Sequence, residues 1–347
     1  MKQITALILT VSMLLGTMTA CGQETAAPTT QPEMTETTAS PVQTENPQTE
    51  TDPVIANIVI SEVMSDNRKL TLGHEQDWVE LYNPGDVSVN LSGYYLTDDP
   101  GQRNLMALEG YTVPAGRYLT VVLGDNSPFQ LSEMGETVYL TCGGNTISEL
   151  SFGRAEEGAA FDSLGICEYP TPGFANSEAG YRSYLENLTL PDLVISEVLT
   201  NNSIYPVDDT YYDLVEVENR SDSPVNLGEY YLTDRWESTK RYHFPDITLE
   251  PGAFYLVLCS GNPELGENHA PFSIGTGEET LYLAHRGIYT DALCVPVDCK
   301  ENESFGRHGN LPVYLTAPTP VKRIRMASWA ALRYRKPALR RDCMTSR

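Results

Sequence analysis

Four glutamates recur at matching places in this 347-residue chain and are the first residues to weigh for chemistry. Glu62 closes Ile60-Ser61-Glu62, and Glu197 closes Ile195-Ser196-Glu197. Glu80 sits in Asp77-Trp78-Val79-Glu80-Leu81-Tyr82-Asn83, and Glu216 in Asp213-Leu214-Val215-Glu216-Val217-Glu218-Asn219. Strand alternation puts Glu62 on the apolar face of Ile58, Ile60 and Met64, and Glu197 on that of Leu193, Ile195 and Leu199. A carboxylate on an apolar face must find donors or take up a proton. Near a strand end its ordinary use is to accept backbone N–H groups, and that structural role is favoured over a ligand or cation contact. Glu80 and Glu216 fall on the opposite, outer face, where solvation suffices to explain them.

Loop aspartates offer a second chemistry. Asp66, Asp77, Asp98 and Asp99, then Asp208, Asp209, Asp213 and Asp234, are oxygen donors of the kind calcium gathers, roughly six to eight at a time. Asp77, Asp98, Asp213 and Asp234 are the metal candidates, and calcium the one cofactor in view. The spacing Asp-x-Asp-x-Asp-Gly is absent, and Asp is an ordinary turn residue, so the turn role is favoured. His74, His243, His269, His285 and His308 form no His-Glu-x-x-His and no pair at ligand spacing. A P-loop, a Gly-x-Ser-x-Gly elbow and a dinucleotide fingerprint are missing too. No catalytic residue is assigned.

The seven cysteines contain no Cys-x-x-Cys pair, which argues against a structural zinc site. Cys294 and Cys299 are spaced for a small disulfide loop and equally for free thiols.

The elements that position these residues come from a duplication. Ile58-Val59-Ile60-Ser61-Glu62-Val63 returns as Leu193-Val194-Ile195-Ser196-Glu197-Val198. Val89-Asn90-Leu91 with Tyr94-Tyr95-Leu96-Thr97-Asp98 returns as Val225-Asn226-Leu227 with Tyr230-Tyr231-Leu232-Thr233-Asp234. Pro114-Ala115-Gly116-Arg117-Tyr118-Leu119 matches Pro251-Gly252-Ala253-Phe254-Tyr255-Leu256, and Ser151-Phe152-Gly153-Arg154 is paired with Ser304-Phe305-Gly306-Arg307. The period is too long for a solenoid, so each repeat is a whole domain. Within each, short alternating runs are separated by turn clusters such as Asn83-Pro84-Gly85-Asp86. Adjacent tyrosines, Tyr94-Tyr95, Tyr211-Tyr212 and Tyr230-Tyr231, send one ring to the core and one outside. Helical periodicity is confined to Ser177–Asn187, where Ser177 caps and Tyr181, Tyr184 and Leu185 share a face. The expected fold is all-β: two tandem immunoglobulin-like β-sandwiches, residues 54–176 and 192–320, joined by a helical linker at 177–191.

Taken in order, Ile-Ser-Glu-Val at 60–63, Asp-Trp-Val-Glu-Leu-Tyr-Asn-Pro at 77–84, Asn-Leu-Ser-Gly-Tyr-Tyr-Leu-Thr-Asp at 90–98 and Pro-Ala-Gly-Arg-Tyr-Leu at 114–119 resemble the lamin tail domain. The resemblance spans roughly residues 57–175 and 192–320. It is degraded in the second stretch, where Leu214 and Arg220 replace Trp78 and Pro84. It implies an immunoglobulin-like sandwich and a binding or scaffolding role, and it brings no catalytic residues with it.

Both ends differ from the body. Residues 1–21 read as a lipoprotein signal peptide: Lys2, an apolar run from Ile4 to Leu15, then Thr19-Ala20-Cys21, with Cys21 the lipidated residue. Residues 22–53, rich in Thr, Glu and Pro, cannot bury enough surface to order themselves and read as a disordered tether. The formal charge is -24, yet residues 321–347 hold nine Lys or Arg against one Asp. Read one base out of register, with CGN codons for Arg, Val321–Arg325 becomes a set that includes Gly-x-Ala-Asn-Ser, the order found from Gly173 to Ser177. The basic tail is therefore expected to be a frameshift product; the rival is a native basic tail for nucleic acid, anionic lipid or cell-wall polymer.

An acidic body repels phosphate backbones, so no nucleic acid is expected as its partner. The leading expectation is a non-enzymatic lipoprotein, anchored on the extracellular face of the bacterial membrane. Its sandwiches would bind or display glycan, cell-wall polymer or a surface protein. The alternatives are a structural envelope protein and a metal-dependent hydrolase using loop carboxylates.

Overall fold

A computed structural model describes residues 56–318. Cys21 and its signal segment, the 22–53 tether and the 321–347 tail lie outside the described residues.

The first sandwich is built from β1 (Val59–Met64), β2 (Asp77–Tyr82), β3 (Tyr94–Thr97), β4 (Tyr118–Leu123), β5 (Glu136–Cys142), β6 (Asn145–Phe152), β7 (Ala160–Asp162) and β8 (Gly165–Ile166). One sheet runs β8-β7-β1-β2-β4 and the other holds β3, β5 and β6 with the short strand Met106–Ala107 at its edge. Every pairing is antiparallel. Alternate residues of both sheets, among them Val79, Leu81, Val121, Leu96, Val138 and Leu140, close on one core. Each such side chain contributes about 1.5–3 kcal/mol by leaving water.

The second sandwich repeats the plan with β9 (Leu193–Leu199), β10 (Asp213–Asn219), β11 (Tyr230–Thr233), β12 (Phe254–Cys259), β13 (Glu279–His285), β14 (Ile288–Val295), β15 (Ser304–His308) and β16 (Leu311–Leu315). Its sheets run β12-β10-β9-β15-β16 and Tyr242–His243-β11-β13-β14. The fold is thus all-β and immunoglobulin-like, with one α-helix among the described residues.

Two expectations need correction. Ser304-Phe305-Gly306 is not the counterpart of Ser151-Phe152-Gly153. Val63 and Met64 face Phe161 and Ala160, just as Val198 and Leu199 face Phe305 and Ser304. The counterpart of Ser304-Phe305 is therefore Ala160-Phe161. Phe152 instead answers to Val295, each opposite the first glutamate of its partner strand.

The second correction concerns alternation. β1 shifts register between Ile60 and Glu62, and β9 between Ile195 and Glu197. A β-bulge adds one residue to a strand and reverses the phase of all that follow. Ile58, Ile60 and Val63 therefore share the core, while Glu62 and Met64 face out. Glu197 likewise parts from Leu193 and Ile195, which stay in the core, and shares the outer face with Leu199. The N–H freed at each bulge is caught from the opposite sheet: Ile60 donates to Ser148 Oγ at 2.9 Å and Ile195 to Asp291 Oδ2 at 2.8 Å.

Helix α1 (Glu178–Asn187) joins the sandwiches, capped by Ser177, whose hydroxyl accepts from Gly180 N. The Tyr184 hydroxyl accepts the N–H of Leu72 in the first sandwich at 3.0 Å. At the other end Asn310, in the β15–β16 turn, donates to Leu185 O and Leu188 O. Leu70, held at φ +54°, enters an aromatic cluster of Tyr231, Trp236, Tyr282 and Tyr289 on the second sandwich. Lys69–Glu278 at 3.1 Å and Tyr282 Oη–Glu157 at 2.8 Å flank that contact. The described residues belong to one compact unit.

Candidate functional site

Cross-strand register makes Glu62 the direct partner of Glu80, and Glu197 that of Glu216. All four are buried, Glu62 and Glu80 with 0 % of their surface exposed. Solvation therefore does not explain Glu80 and Glu216, which the alternating pattern placed in water. The reason is a cover that alternation does not encode. After β8 the chain turns back over the outer face of β1 and β2 as a strap, residues 168–176, with α1 behind it. A Cβ on Gly180 would lie 1.9 Å from Ala175 O, so only glycine lets the helix press on the strap.

The strap is fastened to the carboxylates. Glu62 accepts the Thr171 N–H at 3.0 Å and the Thr171 hydroxyl at 2.7 Å. Glu80 accepts the Ser61 hydroxyl at 2.7 Å and the Gly173 N–H at 2.5 Å. Asn176 donates to Ser61 O and Asp162 Oδ2. Cys167 is buried beside the pair. In the second sandwich Ser196 donates to Glu216 at 2.8 Å, and Ser304 donates to Glu197 at 2.6 Å.

Burial raises both carboxyls of the first pair. Glu62 rises to about 7, opposed by the Thr171 bonds and aided by nearby Asp162. Glu80 rises to about 8, opposed by the Ser61 hydroxyl and aided by the charge of Glu62. Burial, then the charges of Glu62, Asp162 and Glu80, push the Cys167 thiol up as well, so it is a poor nucleophile. The pair can hold a proton near neutrality. Its oxygens, however, are turned to the strap.

The aspartate candidates serve loops. Asp77 accepts Leu131 N–H at 2.9 Å, and Asp213 accepts Ile274 N–H at 3.1 Å and Asn201 N–H at 3.0 Å. Burial raises Asp77 to about 6 and raises Asp213 too. Asp234 pairs with Arg241, Asp66 pairs with Arg68, and Asp98 is half-buried at the end of β3. Among the described residues no group of three or more His, Cys, Asp or Glu is arranged to hold a metal ion. Cys294 and Cys299 are free thiols.

The same polar residues make the same bonds in both sandwiches. Asn83 donates to Val87 O and Val113 O; Asn219 donates to Ser223 O and Leu249 O. Thr97 Oγ1 accepts Asp99 N–H, and Thr233 Oγ1 accepts Arg235 N–H. Glu136 accepts Ser132 N–H, and Glu279 accepts Gly275 N–H. Sequence reasoning passed over Thr171, Gly173, Asn176 and Ser61 as members of the first site. The available signal was Pro-Thr-Pro, present at 170–172 and again at 318–320.

Residues 51–154 match the family model of the Lamin Tail Domain. The match covers β1 to β6 and ends before β7 and the strap. No curated protein and no solved structure matches the chain. The lamin tail match is consistent with an immunoglobulin-like module of binding or structural type.

Proposed function

We propose that the protein is a non-enzymatic bacterial surface lipoprotein, lipidated at Cys21, whose two sandwiches are both of lamin-tail type. They act as binding or display modules for glycan, cell-wall polymer or a surface protein. The observation that carries this reading is the shared bonding pattern. Glu62, Glu80, Asp77 and Glu136, the acidic groups best placed for acid–base or metal chemistry, are spent on holding loops. Their counterparts Asp213 and Glu279 are spent in the same way. The plan shared by the two sandwiches is a scaffold, and recognition belongs to the surfaces it presents. Two linked modules gain avidity for a repetitive ligand when their geometry fits it.

The test is a screen of the full chain against immobilised glycans, cell-wall polymers and surface proteins, with and without calcium. Saturable binding to one polymer class is the expected result, and absence of binding to every class contradicts the recognition role. Cys21→Ala is expected to move the protein from the membrane fraction to the soluble one. Retention in the membrane contradicts the anchor.

A further inference from the structure

The five-stranded sheets of the two sandwiches end on matching strands, β4 and β12, but the edges are finished differently. Trp78 of β2 faces Val122 of β4, as Leu214 of β10 faces Leu258 of β12. In the second sandwich the far side of β12 is taken. The Leu258 N–H donates to Asn268 O at 2.8 Å, and the Ala270 N–H donates to Leu258 O at 2.8 Å, around a parallel bridge to His269. The backbone groups of Leu258 therefore point away from β10. In the same register those of Val122 point away from β2, and so do those of Thr120 and Tyr118 at alternate positions. Among the described residues no backbone group beyond the sheet bonds any of the three. The reason is loop length. Asp77 holds Leu131 where Asp213 holds Ile274, so these are counterparts. The chain runs from Leu258 to Ile274 in the second loop and only from Val122 to Leu131 in the first, which leaves out the stretch that covers β12.

An open edge invites pairing, and folded chains blunt it with charge, proline, a bulge or brevity. The first sandwich does so elsewhere. β8 and the Met106–Ala107 strand are two residues long, and β6 carries Glu149 and meets β5 across a register shift. β4 has none of these devices. It reads Tyr-Leu-Thr-Val-Val-Leu, keeps register with β2 throughout, and leaves Val122 exposed.

We propose that β4 pairs with β4 of a second copy of this chain, antiparallel, about a two-fold axis through Thr120. The strand is complementary to itself in that register. Val121 and Leu123 belong to the core, so Tyr118, Thr120 and Val122 share the outer face. The axis sets Thr120 against Thr120, and Tyr118 against Val122 on either side. Thr–Thr and aromatic–β-branched pairs are favourable across strands. Tyr118 is already positioned by its stack on Tyr82, with 4.5 Å between ring centroids. Charge matches at the ends. Arg117 and Asp125 are exposed, and the ion pairs of the described residues include neither. The axis brings Arg117 opposite Leu123, two residues short of Asp125 of the second copy, a diagonal that a long side chain spans. Register, side-chain pairs and charge thus close on one axis, which a strand of unrelated sequence would not do. Because β12 carries its own cover, this edge pairing closes as a dimer and does not extend to a fibre.

The experiment is density-matched sedimentation equilibrium of the full chain in a non-ionic detergent, which should show monomer and dimer exchanging with concentration. Val122→Pro removes the outward N–H and spares the β2 ladder, which that N–H does not enter. It should weaken the dimer by about tenfold or more, since the axis loses two hydrogen bonds at once. Val122→Lys charges the edge without altering the backbone and should act in the same direction. Monomer at every concentration, or a dimer that both variants leave unchanged, overturns the pairing. Oxidation reads the register. Thr120→Cys places two thiols on strands about 5.5 Å apart at Cα, within disulfide reach, and should yield more covalent dimer than the unsubstituted chain. Val122→Cys stands about 13 Å along the strand from its own mate and should yield no excess. The reverse ranking overturns the axis. A monomer whose Val122 amide resists hydrogen exchange would show the edge filled by its own chain, and overturns the proposal too.

Discussion

Glu62 and Glu80 stand directly opposite each other on β1 and β2, fully buried, and hold one strap between them. Two carboxylates so placed cannot both ionise cheaply. They are tolerated because Thr171, Ser61 and Gly173 turn four donors toward the pair, and because one proton can stay on it.

That arrangement sets the sign of the pH dependence. Both groups have folded values raised above the ordinary 4.5, to about 7 and about 8. The folded chain thus binds more protons than the unfolded chain between pH 4.5 and 8. Stability is full below that window and falls as pH rises through it, by about 1.4 kcal/mol per pH unit for each such group. Asp77, raised to about 6, adds to the same trend. The melting temperature should be higher at pH 5.5 than at pH 8.5. Glu62→Gln and Glu80→Gln should flatten the profile, and a profile that rises with pH would show the pair to be ionised.

Two strap residues, buried Thr171 and exposed Gly173, should both matter to stability. Thr171→Val removes a hydroxyl from a buried carboxylate and should cost about 1–3 kcal/mol. Gly173→Ala meets open space but a left-handed backbone, and should cost about 1–2 kcal/mol. Equilibrium denaturation measures both, and neutral outcomes would mean that the strap is not fastened as described.

Much of the fold was legible in the sequence and part of the site was not. The repeat, the strand alternation of Val79 and Leu81, and one buried ring in each of the pairs Tyr94-Tyr95 and Tyr230-Tyr231 followed from period and polarity, whereas Tyr211-Tyr212 puts neither ring fully into the core. The positions of Glu62 and Glu197 did not, because the bulge after Ile60 and after Ile195 leaves no mark in a pattern of apolar residues. Glu80 was misjudged for a different reason. Its strand reads as half-exposed, and its cover arrives from residues about ninety positions away. Pairing Ser304-Phe305 with Ser151-Phe152 failed because Ala160-Phe161, the true counterpart, keeps only the phenylalanine.

The bulges make a further prediction. Ser148 meets the Ile60 N–H with a neutral hydroxyl, whereas Asp291 meets the Ile195 N–H with a carboxylate neutralised by Arg307 at 2.8 Å. Arg307→Met leaves that charge buried and alone, and should cost about 3–5 kcal/mol. Ser148→Ala orphans one N–H and should cost about 1–3 kcal/mol. Denaturant midpoints that rank these two the other way would refute the difference.

Leu70 of the first sandwich packs among aromatic residues of the second. Leu70→Ala should cost about 2–5 kcal/mol if the aromatic cluster keeps its shape, and less if it closes on the gap. Trp236 stacks on Tyr289 at 4.4 Å beside it, so its fluorescence should shift to the red as water enters. An unchanged spectrum and midpoint would show that the contact carries no load.

The central claim is recognition without catalysis. The direct measurement incubates the full chain with purified cell-wall polymer and follows, in one experiment, the fraction bound and the soluble products released. Saturable retention with the polymer left intact is the predicted result. Release of cleaved product, or no retention at any concentration, would contradict it.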